Sequence, residues 1–195
     1  MTDGSKAGPI DAVFALYRER GYRNYGEDVS ELEHALQCAT LAEGAGEDTL
    51  VIAACLLHDY GHLVHERGED IAERGENARH EELGAAALAA WFQPALVEAV
   101  RLHVEAKRYL CFLDPRYLSR LSPASARSLR LQGGPHSAEE ARAFGAGPHA
   151  SLAVKVRRYD ELAKQPRRKT PGLEAFRAAL AACLLPSAEG GASTT

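Results

Sequence analysis

Histidine and aspartate stand side by side at positions 58 and 59, directly after the apolar run Leu50-Val51-Ile52-Ala53-Ala54-Cys55-Leu56-Leu57. A carboxylate buried beside such a run costs several kcal/mol unless it is compensated, and a metal cation is its natural partner. Other residues of ligand type lie in helical patterns: His34 in Glu33-His34-Ala35-Leu36-Gln37, His80 in Arg79-His80-Glu81-Glu82-Leu83-Gly84, then His103 and Asp160. Four imidazoles and two carboxylates suffice for two metal ions that keep open positions. On a helix, position i+1 is turned by about 100° from position i, so Asp59 need not point where His58 points and can bridge to a second ion. Gly61 lets the chain leave the helix and aim His62 independently. Nitrogen and oxygen ligands without thiolate suit iron or manganese better than a structural zinc site.

The elements that must position these residues read as helices throughout. Alanine and leucine dominate, and alternating β-branched runs are missing. Residues 9–20 form an amphipathic segment through Val13, Phe14, Leu16 and Tyr17, stopped by Gly21. Residues 22–29 read as a loop. Ser30 caps a helix to about Gly44, with Glu33 completing a capping box. Asp48 or Thr49 opens the next helix, which ends near His58 to Gly61. Residues 62–79 are charged and loop-like. Further helices are expected over 78–92, from Pro94 to about Lys107, over 149–164 and over 171–184, with a second capping box at Ser137-Ala138-Glu139-Glu140. Residues 113–136 are rich in Ser, Gly and Pro and read as a long loop with one helical turn at Pro115–Leu121, the kind of connection that often serves as a lid. The tail 186–195 is expected to be disordered. The expectation is one all-α domain over residues 1–185.

The 195 residues fit one domain, and 46% hydrophobic content is ample for a core. A net charge of -4 points away from nucleic acid and anionic membranes as partners. No apolar stretch reaches the ~18 residues of a membrane span, and the N-terminus lacks the apolar core of a signal peptide. Cys38, Cys55, Cys111 and Cys183 are scattered at spacings that fit neither zinc nor disulfides and read as buried reduced thiols. A cytoplasmic protein is expected, with homo-oligomerisation left open. His65, His136 and His149 read as solvated or structural, and Trp91-Phe92 as core or interface.

The order of a lone His, then His-Asp, then a late Asp, met by His34, His58-Asp59 and Asp160, resembles the HD-domain superfamily over about residues 10–165. The fold implied is the all-helical HD bundle, and most members are phosphohydrolases or phosphodiesterases. Two details differ from those hydrolases. A lysine often found four residues after the motif histidine is replaced by His62, and His80 and His103 fit a second metal site. Together with Gly26-Glu27, Leu32-Glu33-His34-Ala35-Leu36-Gln37-Cys38-Ala39, Leu56-Leu57-His58-Asp59-Tyr60-Gly61-His62 and Leu131-Gln132-Gly133-Gly134-Pro135, these are similar to the PhnZ-like mixed-valence di-iron oxygenases. The resemblance implies one iron held by His34, His58, Asp59 and Asp160. It implies a second held by Asp59, His80 and His103, with Asp59 bridging, in an Fe(II)/Fe(III) pair that uses O2 as co-substrate. Oxygen chemistry needs a redox-active metal, which favours iron.

The same resemblance implies a small phosphonate substrate. Lys107 follows His103 by four residues, on one helical face, and could set its ammonium against the anion. His62 could donate to the same anion or relay a proton. Ser125, Ser128 and Gln132 carry over as phosphonate-holding residues in a loop, and Arg157, three residues before Asp160, could grip the anion or neutralise the site. Glu27 would recognise a substrate amine while a nearby tyrosine closes the pocket. The tyrosine expected three residues before that glutamate is Asn24, and Tyr25 stands two before it. The reaction expected is cleavage of the C–P bond of 2-amino-1-hydroxyethylphosphonate, or its N-trimethyl relative, with O2. An HD phosphohydrolase, a non-catalytic anion-binding module and an oxygenase for hydroxymethylphosphonate are the rivals. Glu27 counts against the last.

Overall fold

A computed structural model of the chain describes residues 8–26, 28–64 and 78–186. It is built from helices: α1 (Pro9–Arg20), α2 (Glu31–Gly44), α3 (Thr49–Leu57), α4 (Gly61–Val64), α5 (His80–Leu88), α6 (Pro94–Leu113), α7 (Pro115–Ser119), α8 (Pro123–Leu131), α9 (Ala138–Gly145), α10 (Ala150–Leu162) and α11 (Arg177–Ala182). A 3-10 turn, Leu173–Phe176, leads into α11. No described helix is long and apolar enough to cross a membrane.

Helix α3 is the axis of the bundle. Asp48 caps it by accepting from Val51 N–H at 2.9 Å, and every residue from Val51 to Leu57 is buried. A helix apolar on all sides must be covered on all sides. Helices α2, α6, α10 and α11 provide that cover. Their inward faces, with Phe14 and Tyr17 of α1 and Phe92, Leu96 and Phe176, complete a core centred on the run that precedes His58. Phe92 belongs to that core and Trp91 packs at its edge. All four cysteines are buried and free.

The structure departs from the sequence reading in several places. The expected loop at 22–29 contains a short antiparallel hairpin, β1 (Asn24–Gly26) with β2 (Val29–Ser30), whose register is irregular. Asp28, at φ 60°, makes the turn, a backbone state that aspartate tolerates better than most residues. Within the long connection expected at 113–136, the expected helical turn is α7, and a second helix, α8, was not expected. Asp114 and Ser122 cap α7 and α8 by accepting from Arg116 N–H and Ser125 N–H, and each is followed by proline at the first helical position. Helix α6 runs to Leu113 rather than stopping near Lys107. Glu27, His65, most of the charged 62–79 segment and residues 187–195 lie outside the described residues.

Candidate metal centre

The end of α3 sets the centre of the site. Its last carbonyls lack their usual helical partners; Tyr60 N–H takes up Leu57 O at 3.0 Å, and side chains take up two others. His58 Nδ1 donates to Cys55 O at 2.9 Å, and the buried Tyr17 hydroxyl donates to Leu56 O at 2.5 Å. His34 on α2 donates from Nδ1 to Ala163 O at 2.8 Å, just beyond α10. A reciprocal pair steadies that strap: Gln37 Nε2 donates to Gln165 O and Gln165 N–H to Gln37 Oε1, both at 3.0 Å. His103 on α6 donates from Nδ1 to Val100 O at 2.7 Å. Asp160 enters from α10.

The six expected ligands converge. His34 Nε2 stands 3.1 Å from His58 Nε2, 3.5 Å from Asp59 Oδ2 and 3.4 Å from Asp160 Oδ1. His58 Nε2 is 3.0 Å from Asp59 Oδ2. The other Asp59 oxygen faces the opposite way: Oδ1 is 3.2 Å from His80 Nε2 and 3.4 Å from His103 Nε2, and those two nitrogens are 3.0 Å apart. Asp59 thus has one oxygen in each of two half-sites.

The donor chemistry fits metal cations. A carbonyl only accepts, so Nδ1 of His34, His58 and His103 carries the hydrogen, and in the neutral rings Nε2 is a lone pair. Lone pairs and carboxylate oxygens aimed at one another repel unless positive charge lies among them. Metal–nitrogen bonds of about 2.1 Å at right angles would set donors about 3 Å apart, the spacing the imidazoles have. Without an ion, a proton on an imidazole supplies part of that positive charge. Burial opposes charge on His58, yet the Asp59 carboxylate outweighs it and raises the imidazole well above its ordinary value. Burial also works against ionised Asp59 and Asp160, but His58 in the first case and Arg157 in the second hold both carboxyls well below their usual range.

His62 begins just past α3, in the short helix α4, and its ring stacks on His80 at 4.1 Å. Its Nε2 lies 3.9 Å from Asp59 Oδ1, so Asp59, His62 and His80 form a group that could share an ion. Gly61 makes this crowding feasible: a side chain there would enter the His80 carbonyl and the backbone of Gly84. Tyr25 reaches the site despite its offset in sequence. Its ring stacks on His34 at 3.8 Å and its hydroxyl donates to Asp160 Oδ1 at 3.2 Å. Burial and the Asp160 charge push the phenol well above its ordinary pKa.

A cationic cradle adjoins Asp160. Lys107, buried on α6, donates to Ser128 Oγ at 2.8 Å. Burial pushes its ammonium down to about 7, and the charge of Arg157 adds to the effect. Arg157 bonds Asp160 and Glu161, reaches Ser125 Oγ at 3.3 Å and donates to the Tyr117 hydroxyl at 2.8 Å. Ser125 and Ser128 lie on helix α8, not in a loop, with Gln132 at its C-cap; the Gln132 Oε1 atom is buried and has no hydrogen-bond partner among the described residues. Sequence reasoning missed Lys164, whose Nζ meets Ser125 Oγ at 2.7 Å and Glu161 Oε2 at 3.1 Å, and missed Glu161 and Tyr117. The four-residue spacing from Asp160 to Lys164 was a usable signal; the approach of Tyr117 was not, since a helical turn at Pro115–Leu121 does not say what it packs against. His136 is buried against Glu105 at 2.7 Å, away from the centre, as a structural histidine.

A bundle that brings a His-Asp pair together with a distant histidine and a late aspartate defines a class, and the HD domain matches residues 32–144. The chain belongs to the HD-domain family. Among its relatives, the (1-hydroxy-2-(trimethylamino)ethyl)phosphonate dioxygenase (glycine-betaine-forming) of Leisingera caerulea is 42% identical over 163 residues, 83% of each chain. The hydroxymethylphosphonate dioxygenase of Gimesia maris is 40% identical over 176 residues, 90% of this chain and 88% of its own.

Proposed function

We propose that this protein is an O2-dependent dioxygenase that cleaves the C–P bond of a small 1-hydroxyalkylphosphonate bearing nitrogen on the next carbon, the amine free or N-trimethylated. In the net reaction one O2 is consumed, the hydroxyl-bearing carbon becomes a carboxylate and the phosphorus leaves as phosphate, giving glycine or glycine betaine. The observation that carries the reading is the junction of two half-sites on Asp59 with a buried cationic cradle on Lys107 and Arg157. Two relatives named as phosphonate dioxygenases support it.

In this reading His34, His58, Asp59 and Asp160 hold one iron, and Asp59, His80 and His103 hold the other. The Fe(II)/Fe(III) pair supplies the binding and activation of O2 and polarises the substrate hydroxyl. The chain does the rest. Lys107, Ser128, Ser125 and Arg157 seat the phosphonate by charge-assisted hydrogen bonds, and Gln132 offers its unpartnered amide oxygen to a substrate hydrogen. Arg157 also keeps Asp160 ionised. His62, on the open side of His80, donates to the bound anion or carries a proton to it. Tyr25 covers the His34 side and excludes water, and Glu27 takes the cationic nitrogen. Fixed geometry in a dry site is the chain's contribution to rate.

A second reading is favoured by the Gimesia maris relative: hydroxymethylphosphonate, which has no nitrogen for Glu27. The test is phosphate release by the iron-loaded enzyme, with and without O2, from 2-amino-1-hydroxyethylphosphonate, its N-trimethyl analogue and hydroxymethylphosphonate. We expect release only with O2, and fastest from a nitrogen-bearing substrate. Fastest release from hydroxymethylphosphonate selects the second reading. Oxygen-independent hydrolysis of phosphoesters, with no release from any phosphonate, replaces both with a phosphohydrolase.

A further inference from the structure

The imidazoles of the centre are not all held in the same way. His34, His58 and His103 each give their Nδ1 hydrogen to a main-chain carbonyl. His80 has no such carbonyl among the described residues. It opens α5 directly after Arg79, whose φ of 50° turns the chain sharply into the helix. The polar atom that faces its Nδ1 is Glu81 Oε2, at 3.6 Å, too long for a hydrogen bond. That oxygen is itself buried and has no hydrogen-bond partner among the described residues, on a carboxylate that is buried as a whole. An unpaired buried acceptor is costly, and here it adjoins an imidazole nitrogen that lacks an acceptor.

A metal bound at His80 Nε2 would settle which ring nitrogen is the donor. With Nε2 giving its lone pair, Nδ1 must carry the hydrogen, and a small rotation of either side chain brings it onto Glu81. We infer that Glu81 is the positioning residue of His80: its carboxylate accepts the Nδ1 hydrogen, fixes ring orientation, and sets how tightly the His80–His103 half-site holds its ion. A carboxylate behind a ligating histidine also makes it a stronger donor. The inference rests on the reading that the cluster binds two ions. It concerns one of them, because His34 and His58 take their orientation from carbonyls that Glu81 does not touch.

The experiment is anaerobic Fe(II) titration of the full chain against a competing chelator, with no substrate present, for wild type, Glu81→Ala and Glu81→Gln, alongside melting of the metal-free proteins. Wild type should bind two ions. Glu81→Ala should weaken one of them by about tenfold or more and leave the other unchanged, the usual consequence of removing such a partner. Glu81→Gln, whose amide oxygen still accepts, should restore most of the loss. Metal-free Glu81→Ala should melt no lower than wild type, since it removes a buried carboxylate oxygen that has no hydrogen-bond partner among the described residues. If Glu81→Ala fails to fold, Glu81→Leu fills the space and gives the same readout. Two ions bound at wild-type affinity in the apolar variant overturn the inference, as does equal weakening of both ions. A wild-type chain that binds fewer than two ions overturns the two-ion reading beneath it, and the inference with it.

Discussion

The half-site on His34, His58 and Asp160 is finished by the core, whereas the half-site on His80 and His103 is finished only in part. In the first, both rings are fixed by main-chain carbonyls and all three residues are almost wholly buried. In the second, His103 is fixed by Val100 O, but His80 leans on the His62 ring and faces a carboxylate oxygen with no hydrogen-bond partner among the described residues. The difference teaches where preorganisation comes from. Carbonyls in packed helices cannot turn away, so the first set of donors is in place before any ion arrives. In the second, only His80 lacks such a carbonyl among the described residues, on the side of the cluster where His62 is partly open.

The comparison breaks first at Asp59, the one residue common to both halves. Asp59→Ala should release both ions together and lower turnover by at least about a thousandfold, the several kcal/mol that bound metals supply. Iron content and kcat check this; an Asp59→Ala chain that still holds one ion tightly would show that the halves do not depend on the shared carboxylate.

Lys107 shares α6 with His103, and its removal tests the substrate side without removing a donor. Lys107→Met should raise KM for the phosphonate by about 10- to 100-fold, the worth of a hydrogen bond to a charged group, with a smaller change in kcat. The pH dependence has a definite sign. With its ammonium pushed down to about 7, Lys107 is charged below that pH and neutral above it when the seat is empty. Anion binding needs the charged form, so KM should rise above pH 7, approaching about tenfold per pH unit, and Lys107→Met should flatten the rise. By the same linkage the empty protein gains stability from Lys107 as pH rises from about 7 toward the ordinary 10.5, because the unfolded chain then holds the extra proton. A KM that falls between pH 7 and 8 would remove Lys107 from the anion seat.

The smallest expected effect is at Gly61, where α4 and α5 meet. Gly61→Ala forces a methyl into the His80 carbonyl, and the overpacking should cost about 1–3 kcal/mol, read as a fall of several degrees in Tm. The displacement falls on His80, so ion binding should weaken in the second half-site and not in the first. Equal weakening of both would mean that the halves move as one body.

The ligand-type residues were legible because each has a distinctive type at a distinctive place: a His-Asp pair closing an apolar run, His34 just inside a capping box, Asp160 on a helix. The all-α bundle was legible from the same periodicity. What escaped was what tertiary contact decides. The hairpin at 24–30 depends on a positive φ at Asp28 and an irregular register, which also let Tyr25 reach Asp160 from a position one residue away from that expected. Helix α8 was hidden by Ser, Gly and Pro content, although Ser122-Pro123 is a cap-and-start pair like the Asp114-Pro115 that opens the expected turn at α7. Glu81 could not be singled out, because its distinction is a missing partner.

The end of α3 carries a consequence for how this site can drift over evolutionary time. His58 and Tyr17 spend their polar hydrogens on the carbonyls of Cys55 and Leu56. No point substitution can delete a carbonyl, so the apolar letters of 50–57 can be exchanged for others of similar volume while the aim of His58 is inherited unchanged. A carboxylate such as Glu81 has no such insurance, because one base change can remove it. Within a single cluster, the aim of His34, His58 and His103 is therefore written in main chain, which tolerates rewriting around it, and the aim of His80 in a side chain, where selection has something to adjust.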